Sequence, residues 1–225
     1  MAKKNFKKED EQLQNVNEAL STTGQWIEDH SNMLTWAVTA IVVVILGVIA
    51  LNNYVFKPKA LEANNENAKA VVYFQNGDFE KALNGDDAEC LGFEEIANSY
   101  KLYRPGKLAA LYAGICHFEL GDYEQAAHFL KRFNAKDVNI DPAAHQLLGD
   151  AYVELEEYGK AVRAFEAAAK SGNDLIAPMS LKKAGLVYLE LGDNGSARRS
   201  FEKIKAEYPQ SQEAADIDKY IEIAR

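Results

Sequence analysis

The sequence predicts an all-α protein in which a single transmembrane helix is followed by an α-solenoid of about four helix pairs. Three observations carry that prediction. From Ser31 to Phe56 no residue is charged. Further on, Gly114, Gly149 and Gly185 stand 35 and 36 residues apart, each inside a stretch of helical periodicity. No segment shows the apolar/polar alternation of a half-buried strand.

The elements follow in order. Residues 1–32 form a polar tail that opens with Lys3, Lys4, Lys7 and Lys8 and then turns acidic. Within it, Leu13, Val16, Leu20, Thr23 and Ile27 fall on one helical stripe, which predicts an amphipathic helix weakened by Ser21 to Gly24. Residues 33–56 are the transmembrane anchor. Its centre, from Met33 to Leu51, includes Leu34, Trp36, Val43, Gly47 and Leu51, and eleven of its residues are Leu, Ile or Val. A hydrocarbon core about 30 Å thick needs roughly 20 apolar residues in a helix, so the segment is long enough. Insertion is favoured by about 3 to 7 kcal/mol on a per-residue scale for those side chains. Pro58 is then expected to break the helix or set its exit angle.

Residues 57–225 are expected to form one repeat domain. Each of the three glycines is followed seven residues later by a turn: Gly121-Asp122-Tyr123, Glu156-Glu157-Tyr158 and Gly192-Asp193-Asn194. The next helix carries a small residue at Ala126, Ala161 or Ala197. The repeats are placed near 60–104, 105–139, 140–175 and 176–209, with a capping helix at 211–225 whose apolar face is Ala214, Ile217, Tyr220 and Ile221. The first repeat is degenerate, marked by Ala70, Tyr73, Gly77, Asp78, Phe79 and Ala82. Residues 77–91 read as an inserted loop, in which Asn84-Gly85 has the chemistry of a tight hairpin turn, and the partner helix resumes at Phe93.

This pattern resembles the tetratricopeptide repeat. In the third repeat Leu148, Gly149, Tyr152, Tyr158, Ala161, Phe165 and Ala168 all match. The fourth supplies Gly185, Tyr188, Ala197, Phe201 and Pro209 but has Ala184 and Ile204 where the pattern asks for Leu and Ala. In the second, Gly114, Tyr123 and Ala126 match, with His117 and Phe133 as departures. The resemblance implies that the first helices of successive pairs line a concave groove. By register, Leu111, Ile115, Phe118, Gln146, Asp150, Val153, Lys182, Leu186 and Leu189 face it. Versions that clamp the acidic C-terminus of heat-shock chaperones need Lys and Asn at set groove positions. Here Leu186 follows Lys182 and Asp150 would repel a carboxylate, so the groove is expected to take an apolar partner segment instead.

The remaining composition argues against chemistry. The formal charge of −9 and the absence of a dense basic run exclude nucleic acid as an expected partner. The four histidines make no i, i+4 pair, and Cys90 and Cys116 are not spaced as metal ligands, so no metal site, cofactor or catalytic group is expected. Adjacent Cys116 and His117 point about 100° apart on a helix, the wrong geometry for a nucleophile and its base.

In its whole layout (tail, span, degenerate repeats) the chain is similar to ancillary SecYEG translocon subunits of the YfgM-like type. That likeness implies an inner-membrane, single-pass protein with a cytoplasmic N-terminus and a periplasmic repeat domain. It also implies translocon subunits, an anchored periplasmic prolyl isomerase or other chaperone, and exported chains as partners. Lys57, Lys59 and Lys69 pull the other way, since positive residues close to a span favour the cytoplasmic side. The alternative is a cytoplasmic-facing receptor or adaptor anchored by the same helix.

Overall fold

The computed structural model describes residues 30–86 and 90–225, together with Trp26. The stripe from Leu13 to Ile27 lies outside the described residues. The chain divides into two units, one ending at Lys57 and the other running from Pro58 to Arg225.

In the first unit, helix α1 spans Ser31–Leu51 and passes into a π-helical turn, Asn52–Phe56. Every described side chain from Ser31 to Phe56 is exposed, among them Trp36, Val43 and Leu51, and a Cβ on Gly47 would meet nothing within 4 Å. Its two threonines satisfy their own hydroxyls, Thr35 donating to Ser31 O and Thr39 to Thr35 O, each at 2.8 Å. A helix without charges, with its threonine hydroxyls closed on its own backbone, suits a solvent that offers no hydrogen bonds. Among the described residues one helical run, near the N-terminus, is long and apolar enough to cross a membrane.

Pro58 does not break the helix. Lys57 keeps helical angles (φ −65°, ψ −47°) and its N–H reaches back five residues to Asn52 O. The widened turn is a standard way to absorb the clash and missing donor that a proline brings.

From Pro58 on, the second unit opens with the helix α2, Lys57–Gln75. Its partner is split into α3 (Phe79–Asn84) and α4 (Phe93–Ser99), separated by a two-stranded hairpin. There β1 (Gly85–Asp86) pairs antiparallel with β2 (Cys90–Leu91). The expected loop from 77 to 91 is therefore corrected: residues 79–84 are helical, and Asn84-Gly85 enters the first strand instead of forming the turn. Polar side chains of α2 hold the insert. Tyr73 donates to Asp86, the other oxygen of Asp86 accepts from Cys90 N–H at 3.0 Å, and Glu66 accepts from Leu91 N–H at 3.3 Å.

Three regular pairs follow: α5 (Arg104–Glu119) with α6 (Tyr123–Leu130), α7 (Ile140–Glu154) with α8 (Tyr158–Ala169), and α9 (Ile176–Glu190) with α10 (Asn194–Glu207). A 3-10 turn, Gln212–Asp216, leads to α11, Ile217–Ile223. Ile217 is buried and Tyr220 lies 5.5 Å from the Phe201 ring, so α11 closes the end of the last pair as a cap.

The periodic glycines are where the two helices of a pair touch. A Cβ on Gly149 would stand 2.4 Å from Phe165 Cε1, and one on Gly185 would stand 2.3 Å from Phe201 Cε1. At Gly114 the same collision is with Leu130 Cγ, at 2.6 Å. Both phenylalanines are fully buried, so neither ring has room to withdraw.

Each pair turns in the same way. Asp122 N–H bonds to His117 O and Gly121 N–H to Phe118 O, which is a Schellman closure, and it recurs after α2, α7 and α9. The residue in the left-handed region is Gly77, Gly121 or Gly192, but in the third repeat it is Glu156 at φ 56°. The next residue starts the second helix: Asp78, Asp122 and Asp193 each accept the N–H three positions on, whereas Glu157 makes no such cap. One residue thus ends one helix and begins the next, which is why the turns are so short.

Candidate functional site: the groove of the first helices

Successive first helices stack side by side, α5 on α7 and α7 on α9, and these three helices carry the residues expected to line the groove. Leu111 is the exception. It is buried and packs with Ala126, Leu130 and Leu148, so its side chain serves the core and is not available to a partner. Ile115, Phe118, Val153 and Leu189 are half-buried, and Leu186 is exposed. Phe118 meets Tyr123 edge-on at 5.3 Å.

The polar groove positions join neighbouring repeats. Lys183 donates to both oxygens of Asp150 at 2.8 and 2.7 Å. Gln146 donates to Met179 Sδ at 2.9 Å, and Lys182 reaches Asp216 at 2.6 Å. The Lys182 bond holds the Asp216 carboxyl below its usual range. Asp150 is thus no isolated negative charge in the groove, and Lys182 is engaged with the cap. Sequence register identified Asp150 but missed Lys183; only the stacking of α7 on α9 singles out that cation among several nearby.

A second ladder runs along the loops between repeats. Asp137 accepts the N–H groups of Asn139 and Ile140, and Asn173 those of Leu175 and Ile176, so each starts the following helix. Those two backbone bonds hold the Asp137 carboxyl low. Asn173 also donates to Asn139 at 2.8 Å, linking one loop to the next. Beside them lies a cavity of about 810 Å³ bounded by α2, the start of α5 and the loop after α6, with Asn64, Arg104, Lys107, Leu108, Phe133 and Lys136 in its wall. Nothing in the sequence periodicity pointed to it.

Titratable groups in the interior serve packing. Cys90 and Cys116 are buried free thiols. Burial pushes Cys116 up to about 12, far from a reactive thiolate. His117 is buried against Phe129, with Nε2 2.7 Å from Glu94, and ties α4 to α5. Burial, then the bond to Glu166, raises the Tyr188 hydroxyl to about 12. Among the described residues no three His, Cys, Asp or Glu side chains converge as metal ligands.

Comparison with known proteins agrees with this geometry. Residues 147–212 match the tetratricopeptide repeat family model. The helix pairs form a tetratricopeptide-like array. Residues 96–168 also match the model for anaphase-promoting complex, cyclosome, subunit 3. Among solved structures, a crystal structure of MamA is similar with a TM-score of 0.50 and 20% identity, covering 69% of this chain and 91% of that one. A second MamA structure gives 0.51 and 19%, covering 74% and 90%. A kinesin light chain structure of Podosopora anserina, with nearly identical TPR-like repeats, gives 0.53 and 13%, covering 73% and 85%. At such identities the likeness is one of fold. No curated protein matches the chain.

Proposed function

We propose that the protein is a membrane-anchored, non-catalytic scaffold that holds a segment of a partner protein in the groove of its tetratricopeptide repeats. Its place would be the periplasmic side of the inner membrane, as an ancillary subunit at the Sec translocon. The observation that carries the reading is the pairing of two surfaces. One is a charge-free helix with every described side chain exposed, and the other is the face of the first helices that carries half-buried Ile115, Phe118, Val153 and Leu189 and exposed Leu186. The first has lipid as its natural solvent. The second suits an apolar helix or extended segment, such as one presented by an anchored prolyl isomerase, another chaperone or an emerging chain. The YfgM-like layout of tail, span and repeats supports the translocon and the periplasmic side.

A specific observation favours the second reading, a cytoplasmic-facing receptor or adaptor: Lys57, Lys59 and Lys69 all follow the span closely. A reporter enzyme that works only outside the cytoplasm, fused after Arg225, separates the two. Activity supports the periplasmic scaffold; silence beside a fluorescent cytoplasmic fusion sinks it. Photo-crosslinkers at Phe118 and Leu186 test the groove, which is refuted if neither captures a protein in cells that contain the translocon.

A further inference from the structure

The two ends of the helix pairs carry opposite chemistry. At the end where first helices turn into second helices, residues 76–80, 119–124, 154–158 and 190–194 hold ten carboxylates and no Lys or Arg. At the other end, where one pair passes to the next, residues 100–107, 131–141 and 170–176 hold seven Lys or Arg against three carboxylates. Two of those three, Asp137 and Asp141, are already occupied by backbone N–H groups of their own loop. Lys101, Arg104, Lys107, Lys131 and Lys136 make no ion pair among the described residues, although pairs are common elsewhere on the surface.

The same end presents apolar tips. Leu102, Val138 and Leu175 stand 36 and 37 residues apart, one in each inter-repeat loop, and are 75%, 73% and 72% exposed. A single exposed Leu means little, but three at one repeat position form a row along one edge. The first two of these loops contribute to the cavity whose wall includes Arg104, Lys107 and Lys136, along with Asp137, whose carboxyl is held by backbone N–H groups.

We propose that this edge docks on an anionic phospholipid surface. The three tips enter the interfacial layer, the unpaired cations face the headgroups, and the cavity takes a headgroup phosphate. The charge asymmetry argues for it: an anionic surface attracts the loop end and repels the turn end, fixing the orientation as well as the contact. The contact is distinct from the groove and from the span.

The test uses the full chain reconstituted in bilayers that contain a lipid-borne fluorescence quencher. An environment-sensitive dye is placed on Val138→Cys or Leu175→Cys, on Leu191→Cys at the turn end, and on Val43→Cys in the span; Cys90 and Cys116 are buried and stay unlabelled. In bilayers containing phosphatidylglycerol, Val138 and Leu175 should be quenched and Leu191 should not. The quenching should fade with salt and in pure phosphatidylcholine. Each of Arg104→Glu, Lys107→Glu and Lys136→Glu should weaken docking by at least about fivefold. Quenching at Val138 and Leu175 no greater than at Leu191 overturns the proposal, as does lipid-independent self-quenching that rises with protein concentration, the mark of a second copy on this edge. The Val43 label judges the anchor separately: if it alone escapes quenching, the anchor falls and the edge stands.

Discussion

Replacing Gly149 by Ala tests how the helix pairs are built. Alanine gains about 1 kcal/mol of helix propensity over glycine, so on local grounds the variant should be more stable. The structure reverses that sign. The new methyl would lie 2.4, 2.5 and 2.8 Å from three carbons of the Phe165 ring, where carbon pairs rest at about 3.5–4.0 Å. With Phe165 fully buried between α7 and α8, relief requires the helices to part, and overpacking of this kind costs about 1–3 kcal/mol. A collision with three ring carbons belongs at the upper end, leaving a net loss of about 2 kcal/mol. Urea unfolding of the full chain in detergent, followed by circular dichroism, measures it. Phe165→Leu removes the ring atoms, so the double variant should recover at least about 1 kcal/mol relative to the sum of the single changes. A Gly149→Ala protein as stable as the parent, or additivity of the two changes, would refute the close-approach account.

Other outcomes follow from the turns and the interior. Glu156→Gly should stabilise the protein by about 0.5–1 kcal/mol, because a left-handed side-chain residue costs more than the extra freedom of glycine; adding Glu157→Asp supplies the missing cap, worth about 1 kcal/mol more. With its thiol pushed up to about 12 from an ordinary 9.0, Cys116 should alkylate at least about a thousandfold more slowly than a free thiol near neutral pH, read by mass spectrometry. Since its folded value is raised, its contribution to stability is complete below 9.0 and is lost as pH climbs from there towards the folded value. Asp193 runs the opposite way: the Ser196 hydroxyl and backbone N–H depress it below 3.8, so its capping contribution is present above that value and disappears as pH falls through the folded one. A carboxyl resonance of Asp193 that titrates at or above 3.8 would contradict this.

The sequence made the repeats legible because their glycines are enforced by a collision. Gly149 and Gly185 recur since a phenylalanine ring occupies the space of any Cβ, and that constraint writes a period into the chain. The split in the first repeat was less visible: α3 has only 6 residues, too few to display a helical period, and Gly85 is shaped by its contact with Cys90 O and not by a turn of its own. Register assigned Ile115, Phe118, Val153, Leu186 and Leu189 to the groove line, where four are half-buried and Leu186 is exposed, and it assigned Leu111 there too, which the core takes instead. It also read Asp150 as a free charge, because the cation that holds it sits a whole repeat away. The basic loop edge escaped notice for a related reason: Leu102, Val138 and Leu175 acquire meaning only when stacking brings three unremarkable loops into line.

The cores have a consequence for how the protein is made. One draws on residues from Ala63 to Phe129, the next on Leu111 to Val187, and the last on Ala169 to Ala224. Each is closed by neighbours in the chain, so no early segment waits for a distant late one. A chain delivered end first, from a ribosome or through a pore, completes its first core as soon as α6 has emerged. Such a layout lets maturation run vectorially, each new pair packing on a finished template, so that a stalled chain would end in a shorter solenoid with one raw face instead of an unfolded coil.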